Sequence, residues 1–138
     1  MEHKLYIGLG SNLGDRKALL DEALQLVDER IGQVVRVSSY YETAPWGFES
    51  ENEFLNAAAL VITTLSPQRC LKESQRIERQ LGRTDKTENG LFQDRTIDID
   101  LLMYDDLHIE ESDLVLPHPH INEREFVMMP LQEILNEE

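Results

Sequence analysis

A single cysteine, Cys70, in a chain of 138 residues rules out an intramolecular disulfide, so stability has to come from a core rather than from covalent staples. No apolar run approaches the roughly 18 residues that a membrane-spanning helix needs, and the opening residues lack the apolar stretch and small-residue cleavage site of a secretory leader. A reducing cytoplasm is the expected compartment. Basic residues are scarce: 13 Lys+Arg stand against 27 Asp+Glu, a net charge of −14. A surface of that sign repels a polyanionic duplex at long range, so neither nucleic acid nor membrane is an expected partner. A small phosphorylated ligand remains compatible, because a few arginines and a bound divalent cation reverse the field locally. The remaining composition, 41% hydrophobic with seven glycines and five prolines, is that of a folded chain, and its length favours one domain over residues 1–138.

The apolar run from Lys4 to Leu9 reads as a buried strand ending at a turn at Gly10-Ser11-Asn12. From Asp15, Leu20, Ala23, Leu24, Val27 and Ile31 recur at helical spacing, and Gly32 closes the helix. Val34 to Glu42 and Phe54 to Thr64 read as two strands joined across Pro45-Trp46-Gly47. Ser66-Pro67 starts a second helix with a buried stripe of Leu71, Ser74, Ile77 and Leu81, and Gly82 ends it. Arg83 to Asp94 is polar and aperiodic, a long loop for so small a chain. Thr96 to Tyr104 is a strand, and Asn122 to Asn136 reads as short helical segments broken near Pro130. The order β-α-β-β-α-β predicts an α+β, ferredoxin-like sandwich: an antiparallel sheet, helices on one face, and extra C-terminal helical segments.

The segment Arg95-Thr96-Ile97-Asp98-Ile99-Asp100-Leu101-Leu102-Met103-Tyr104 carries the strongest chemical signal. On a strand, Ile97, Ile99, Leu101 and Met103 share an apolar face while Asp98 and Asp100 share the other. Two carboxylates so placed repel each other unless a cation neutralises them or water solvates them; oxygen donors on a rigid strand suit Mg²⁺. A solvated face carrying two charges is the alternative. Gly8-Leu9-Gly10-Ser11-Asn12-Leu13-Gly14 is one residue out of step with a dinucleotide fingerprint and reads first as a tight turn. Phe54 and Asn56 share the face opposite Leu55, Ala57 and Ala59, where an amide and a ring could read a flat heterocycle. Gln75 and Glu78 lie beside the buried stripe of the second helix, with a solvated face as their default. Arg83, Arg95 and Arg124 flank loops or element ends, where phosphate contacts are commonly placed. His118 suits a phosphate contact or plain surface better than zinc, and Cys70 reads as core.

Gly8-x-Gly10-Ser11-Asn12-x-Gly14-Asp15, Thr43-Ala44-Pro45-x-Gly47, Phe54-Leu55-Asn56-Ala57, Gln75-x-x-Glu78-x-x-x-Gly82-Arg83, Arg95 to Asp100 and Pro117-His118 together resemble the 6-hydroxymethyl-7,8-dihydropterin pyrophosphokinase family, from Tyr6 to Leu131. The resemblance implies a monomeric, cytoplasmic enzyme of folate biosynthesis. It would transfer pyrophosphate from ATP, its co-substrate, to the pterin hydroxymethyl group and release AMP. It further implies that Asp98 and Asp100 hold two Mg²⁺ ions and, with Arg83 and Arg95, form the catalytic set. Thr43, Ala44, Pro45 and Asn56 would read the pterin edge, with Phe54 and Phe126 stacked on its faces. Gln75, Glu78, Arg83, Arg95, Ile99, His118 and Arg124 would bind ATP. The chain departs from the family pattern at Asp85, where a second arginine is common, at Gly90 to Asp94, where an Arg-Trp-Gly-Pro run precedes the arginine, and at Pro119, where tyrosine is common. Two readings compete: a non-enzymatic ferredoxin-like module binding nucleotide or metal, and a nicotinamide-dependent oxidoreductase resting on the glycine segment alone.

Overall fold

The computed structural model describes residues 1–11, 15–43, 54–82, 97–119 and 125–136. Its elements run β1 (His3–Ser11), α1 (Arg16–Arg30), β2 (Gly32–Val37), β3 (Tyr41–Thr43), β4 (Phe54–Thr63), α2 (Pro67–Gln80), β5 (Asp98–Tyr104), β6 (Ile109–Glu110), β7 (Val115–Leu116) and α3 (Glu125–Asn136). The main sheet has the order β2-β4-β1-β5, every neighbour antiparallel, and β3 pairs with β4 on the same edge as β2. A small hairpin pairs β6 with β7.

Local chemistry sets the helix ends. The Asp15 carboxylate accepts from the Ala18 N–H at 3.1 Å, which satisfies one of the orphan donors of the first turn of α1. Ser66 does the same for Arg69 at 3.2 Å, with Pro67 at the first helical position. Gly82, at φ 102°, takes the left-handed conformation that ends α2. Gly32 is required for a different reason: a β-carbon there would stand 2.2 Å from the Ile62 carbonyl oxygen.

Alternation along the strands divides the apolar residues between the two faces. Leu5, Ile7 and Leu9 of β1, Leu55, Ala59 and Val61 of β4, and Ile99, Leu101 and Tyr104 of β5 pack with Leu20, Ala23 and Val27 of α1 and Cys70 and Ile77 of α2. On the opposite face Tyr6, Ala58, Leu60 and Leu102 pack with Leu131 and Ile134 of α3. Cys70 is core, as expected, and burial pushes its thiol up to about 11. Among the described residues, no helix is long and apolar enough to cross a membrane.

Several expectations change. Gly10 and Ser11 continue β1 rather than forming a turn, and Gly8 also lies within the strand. The stretch read as one strand from Val34 to Glu42 is split into β2 and β3. At the break Ser38 replaces regular pairing with its own side chain: its N–H donates to the Ala58 carbonyl at 2.9 Å, and its hydroxyl accepts from the Ala58 N–H at 2.9 Å. Met103 does not share the face of Ile97, Ile99 and Leu101. A bulge in the β1–β5 ladder, where Tyr6 faces Met103 but Ile7 faces Leu101, inserts Leu102 and reverses the alternation beyond it. Tyr104 takes the place in the core that strict alternation assigns to Met103. Helix α3 runs unbroken through Pro130, which is itself buried beside Leu131. The apolar contacts of Leu131 and Ile134 offset the hydrogen bond that proline cannot donate.

Candidate active site

Residues directly opposite each other in an antiparallel pair share a face. Gly10 of β1 faces Asp98 of β5 on one side and Asn56 of β4 on the other, and Asn56 faces Tyr41 of β3. This register lays a row across four strands, Asp98, Gly10, Asn56 and Tyr41, with Asp100, Gly8 and Ala58 in the next row. Both rows lie on the face that α3 covers further along.

Gly10 is the close-approach point. A β-carbon on it would stand 2.8 Å from the Asn56 Oδ1 and 3.5 Å from the Phe54 Cδ1, so the amide and the ring edge converge over a position with no side chain. Asn56 is buried, at 4% exposure, and Phe54 is half-buried. The expectation that these residues share a face holds. Thr43 ends β3 opposite Phe54, which brings the start of the Thr43-Ala44-Pro45 segment beside the same ring.

Asp98 and Asp100 sit on β5 with Ile99 buried between them and both carboxylate residues half-exposed. With Gly8 and Gly10 opposite, β1 puts no side chain between the acidic pair and the Asn56 amide. Closely spaced oxygen donors, partly open to solvent, fit a hard divalent cation that keeps several waters. Among the described residues no cluster of three His, Cys, Asp or Glu forms, and Mg²⁺ commonly completes its coordination with water and ligand oxygens around one or two carboxylates.

The outer edge of β5 gathers a second group. The Ile99 N–H donates to the Glu78 Oε2 at 2.8 Å, and the His118 N–H donates to the Leu102 carbonyl at 2.9 Å. Glu78 is 5% exposed, which overturns its reading as a solvated helix-face residue. Its carboxylate spans from α2 to the backbone between the two aspartates, a long-range contact to which helical periodicity is blind. Gln75, three residues earlier on α2, is exposed. His118 is half-buried and follows a cis Leu116–Pro117 bond.

The structure thus brings Asp98, Asp100, Asn56 and Phe54 onto one face, and Glu78, Ile99 and His118 to one strand edge. Ala44, Pro45, Arg83, Arg95 and Arg124 lie outside the described residues, as do the segments 44–53 and 83–96. Phe126 lies in the first turn of α3, and its side chain is likewise outside the description. Sequence reasoning missed Gly10 as a spacer and Tyr41 as a member of the row. The signal was present in β1, where Leu5, Ile7 and Leu9 alternate with Tyr6, Gly8 and Gly10: glycine at every second position marks a face kept clear.

The family profile described as 7,8-dihydro-6-hydroxymethylpterin-pyrophosphokinase (HPPK) matches residues 6–136. A Porphyromonas gingivalis protein named 2-amino-4-hydroxy-6-hydroxymethyldihydropteridine pyrophosphokinase is 47% identical over 131 residues, covering 94% of this chain and 89% of its own. A Bacillus subtilis protein of the same name is 43% identical over 135 residues, covering 97% of this chain and 79% of its own. The solved structure of wild-type Plasmodium falciparum HPPK-DHPS superimposes with a TM-score of 0.75 at 16% identity, over 96% of this chain and 39% of that one, and at that identity the likeness speaks for the fold. With the profile running from the middle of β1 to the end of α3, and the Asp98 to Asp100 strand and the Asn56 row within it, the chain belongs to the 7,8-dihydro-6-hydroxymethylpterin-pyrophosphokinase family.

Proposed function

We infer that this protein is an ATP-dependent pyrophosphokinase of folate synthesis. It transfers the β,γ-pyrophosphoryl group of ATP to the hydroxymethyl oxygen of 6-hydroxymethyl-7,8-dihydropterin and releases AMP. The oxygen bonds to the β-phosphorus, the bond from that phosphorus to the α,β-bridging oxygen breaks, AMP leaves with the bridging oxygen, and the hydroxyl proton passes to solvent. The observation that carries this reading is the cross-strand row in which Gly10 alone separates Asp98 from the buried Asn56 amide. An acidic pair beside a heterocycle-reading amide is what joining a triphosphate to a pterin alcohol requires.

In this reading Asn56 and the backbone at Thr43, Ala44 and Pro45 bond the pterin edge, while Phe54 and Phe126 stack on its faces. Gln75, Glu78, Ile99 and His118 line the nucleotide site along the outer edge of β5, and Arg83, Arg95 and Arg124 hold phosphate. Asp98 and Asp100 would hold two Mg²⁺ ions, which when bound neutralise triphosphate charge and orient the β-phosphate. Catalysis is then chiefly positioning, with Arg83, Arg95, Asp98 and Asp100 fixing the reacting phosphate against the alcohol. The order β2-β4-β1-β5 supports a ferredoxin-like βαββαβ sandwich in which β3 extends the β2 edge and α3 and the β6–β7 hairpin are additions. Residues 1–138 form one such domain, acting as a cytoplasmic monomer.

The test is incubation with ATP, Mg²⁺ and the reduced hydroxymethyl pterin, followed by chromatography of the nucleotides. AMP and a pterin diphosphate in equal amounts are expected. Nucleotide binding without AMP would point to the non-enzymatic module, and ADP in place of AMP would show transfer of a single phosphoryl group.

A further inference from the structure

Residues Ser39 to Glu42 are tied alternately to helices on opposite faces of the sheet. On the α3 side, the Ser39 N–H donates to the Glu133 Oε2 at 2.6 Å, the Ser39 hydroxyl donates to the same oxygen at 3.3 Å, and the Tyr41 hydroxyl donates to the Glu133 Oε1. On the α1 side, the Tyr40 hydroxyl donates to the Asp21 Oδ1 at 2.5 Å, and the Arg16 guanidinium pairs with the Glu42 carboxylate at 2.8 Å. The Arg36 guanidinium adds a bond to the Ile134 carbonyl at 3.2 Å, next to Glu133 on α3. These ties fall where the edge is weakest as a strand. Pairing is interrupted at Ser38, and β3 resumes for only three residues.

A strand of three residues does not fix its own position well, since each ladder bond contributes about 1 kcal/mol net. Side chains from outside the sheet must do so. Glu133 does it where the consequence reaches the site: Tyr41 is the direct cross-strand partner of Asn56, and two residues further Thr43 opens the segment proposed to bond the pterin edge. The other end of α3 carries Phe126, proposed to stack on the pterin. One carboxylate therefore couples the two elements expected to contact opposite parts of the same heterocycle.

We propose that Glu133 is a positioning residue for the pterin: by accepting from Ser39 and Tyr41 it fixes β3 against α3 and so sets the width of the pterin site between the Asn56 edge and the start of α3. The proposal rests on the pyrophosphokinase reading. It places Glu133 outside contact with either substrate and leaves nucleotide binding at β5, on the far edge of the sheet, unaffected.

Isothermal calorimetry and steady-state kinetics on wild type, Glu133→Ala, Glu133→Gln and Tyr41→Phe test it. Glu133→Ala should weaken pterin binding by about tenfold and raise the KM for pterin likewise, because the loss of two or three bonds is transmitted only in part to the ligand. Affinity for an unreactive ATP analogue should stay within about twofold. Glu133→Gln, which keeps one acceptor oxygen, should recover part of the loss. Tyr41→Phe, which keeps the ring and removes only the hydroxyl, should show a smaller loss in the same direction and guards against a Glu133→Ala chain that does not fold. A lowered Tm with pterin and ATP affinities both unchanged, or both weakened equally, would reduce Glu133 to a structural tie and overturn the proposal. Wild-type protein that binds the ATP analogue but neither binds nor turns over pterin would instead overturn the functional reading, and the positioning role with it.

Discussion

The same strands give the two faces of the sheet opposite contents. Beneath α1 and α2 the odd-numbered positions Leu5, Ile7 and Leu9 of β1 and Leu55, Ala59 and Val61 of β4 are apolar and buried in one continuous core. Beneath α3 the even-numbered residues are apolar only along half the strands, at Tyr6, Ala58 and Leu60, and then give way to Gly8, Gly10 and Asn56. One face is spent on stability, whereas the other is divided between a small core that seats α3 and a polar floor where β1, at Gly8 and Gly10, contributes no side chain. Among the described residues, the core contacts of α3 fall on the apolar half of that face, at Tyr6, Ala58, Leu60 and Leu102.

Substitutions on the two faces should separate stability from activity. Ile77→Ala, in the filled core, should lower unfolding stability by about 2–5 kcal/mol while sparing turnover per folded molecule, as measured by urea denaturation alongside a specific-activity assay. Asp100→Ala, on the polar floor, should do the reverse, lowering turnover by roughly 10²-fold or more with the urea midpoint unchanged. Near-wild-type turnover of that variant at saturating Mg²⁺ would remove Asp100 from the catalytic set.

Two glycines sharpen the contrast. Alanine at Gly10 meets the Asn56 Oδ1, the end of a side chain that can move, so Gly10→Ala should weaken pterin binding by about 1–3 kcal/mol in calorimetry and leave ATP binding intact. Alanine at Gly32 meets the Ile62 backbone, which cannot move without disturbing β4. Gly32→Ala should therefore cost more than about 1 kcal/mol of stability in urea titration and leave pterin affinity unchanged in the folded fraction.

The smallest effect concerns acid. Hydrogen bonds from the Tyr41 hydroxyl and the Ser39 N–H hold the Glu133 carboxyl below its ordinary value of 4.5. A carboxyl depressed on folding contributes stability that is fully present above its unfolded value and is lost as pH falls through its folded one. The Tm difference between wild type and Glu133→Gln should thus stay constant from neutrality to about pH 5 and close below the ordinary glutamate range. A difference that persists unchanged into that acidic range would show that charge on Glu133 contributes nothing to seating β3.

Features that repeat along the chain were legible in the sequence. The Ser66 N-cap, the Gly82 stop, the α1 and α2 stripes and the opposed faces around Asp98 and Asp100 follow from periods of 3.6 and 2 and from capping chemistry. Features decided by a single residue against a distant one were not. The bulge at Leu102 leaves no trace in hydrophobic alternation, because apolar residues occupy every position from Leu101 to Tyr104. Glu78 looks like any surface glutamate until the edge of β5 is laid beside it. The short β6 and β7 strands hold two residues each, too few for any period. In the site, residue types were readable from local motifs, while the row that joins Asp98 to Asn56 depends on a register that only the assembled sheet defines.

Cys70, fully enclosed between α2 and the sheet, gives the molecule a built-in clock. With the thiol pushed to about 11, only about 10⁻⁴ of it is thiolate at neutral pH, and a reagent in solution has no approach to the sulfur while α2 is seated. Alkylation has to wait for an excursion that lifts the helix. The rate at which this one sulfur is consumed therefore counts openings of the filled face, and a ligand bound on the opposite face will slow that count only to the extent that it stabilises the whole sheet.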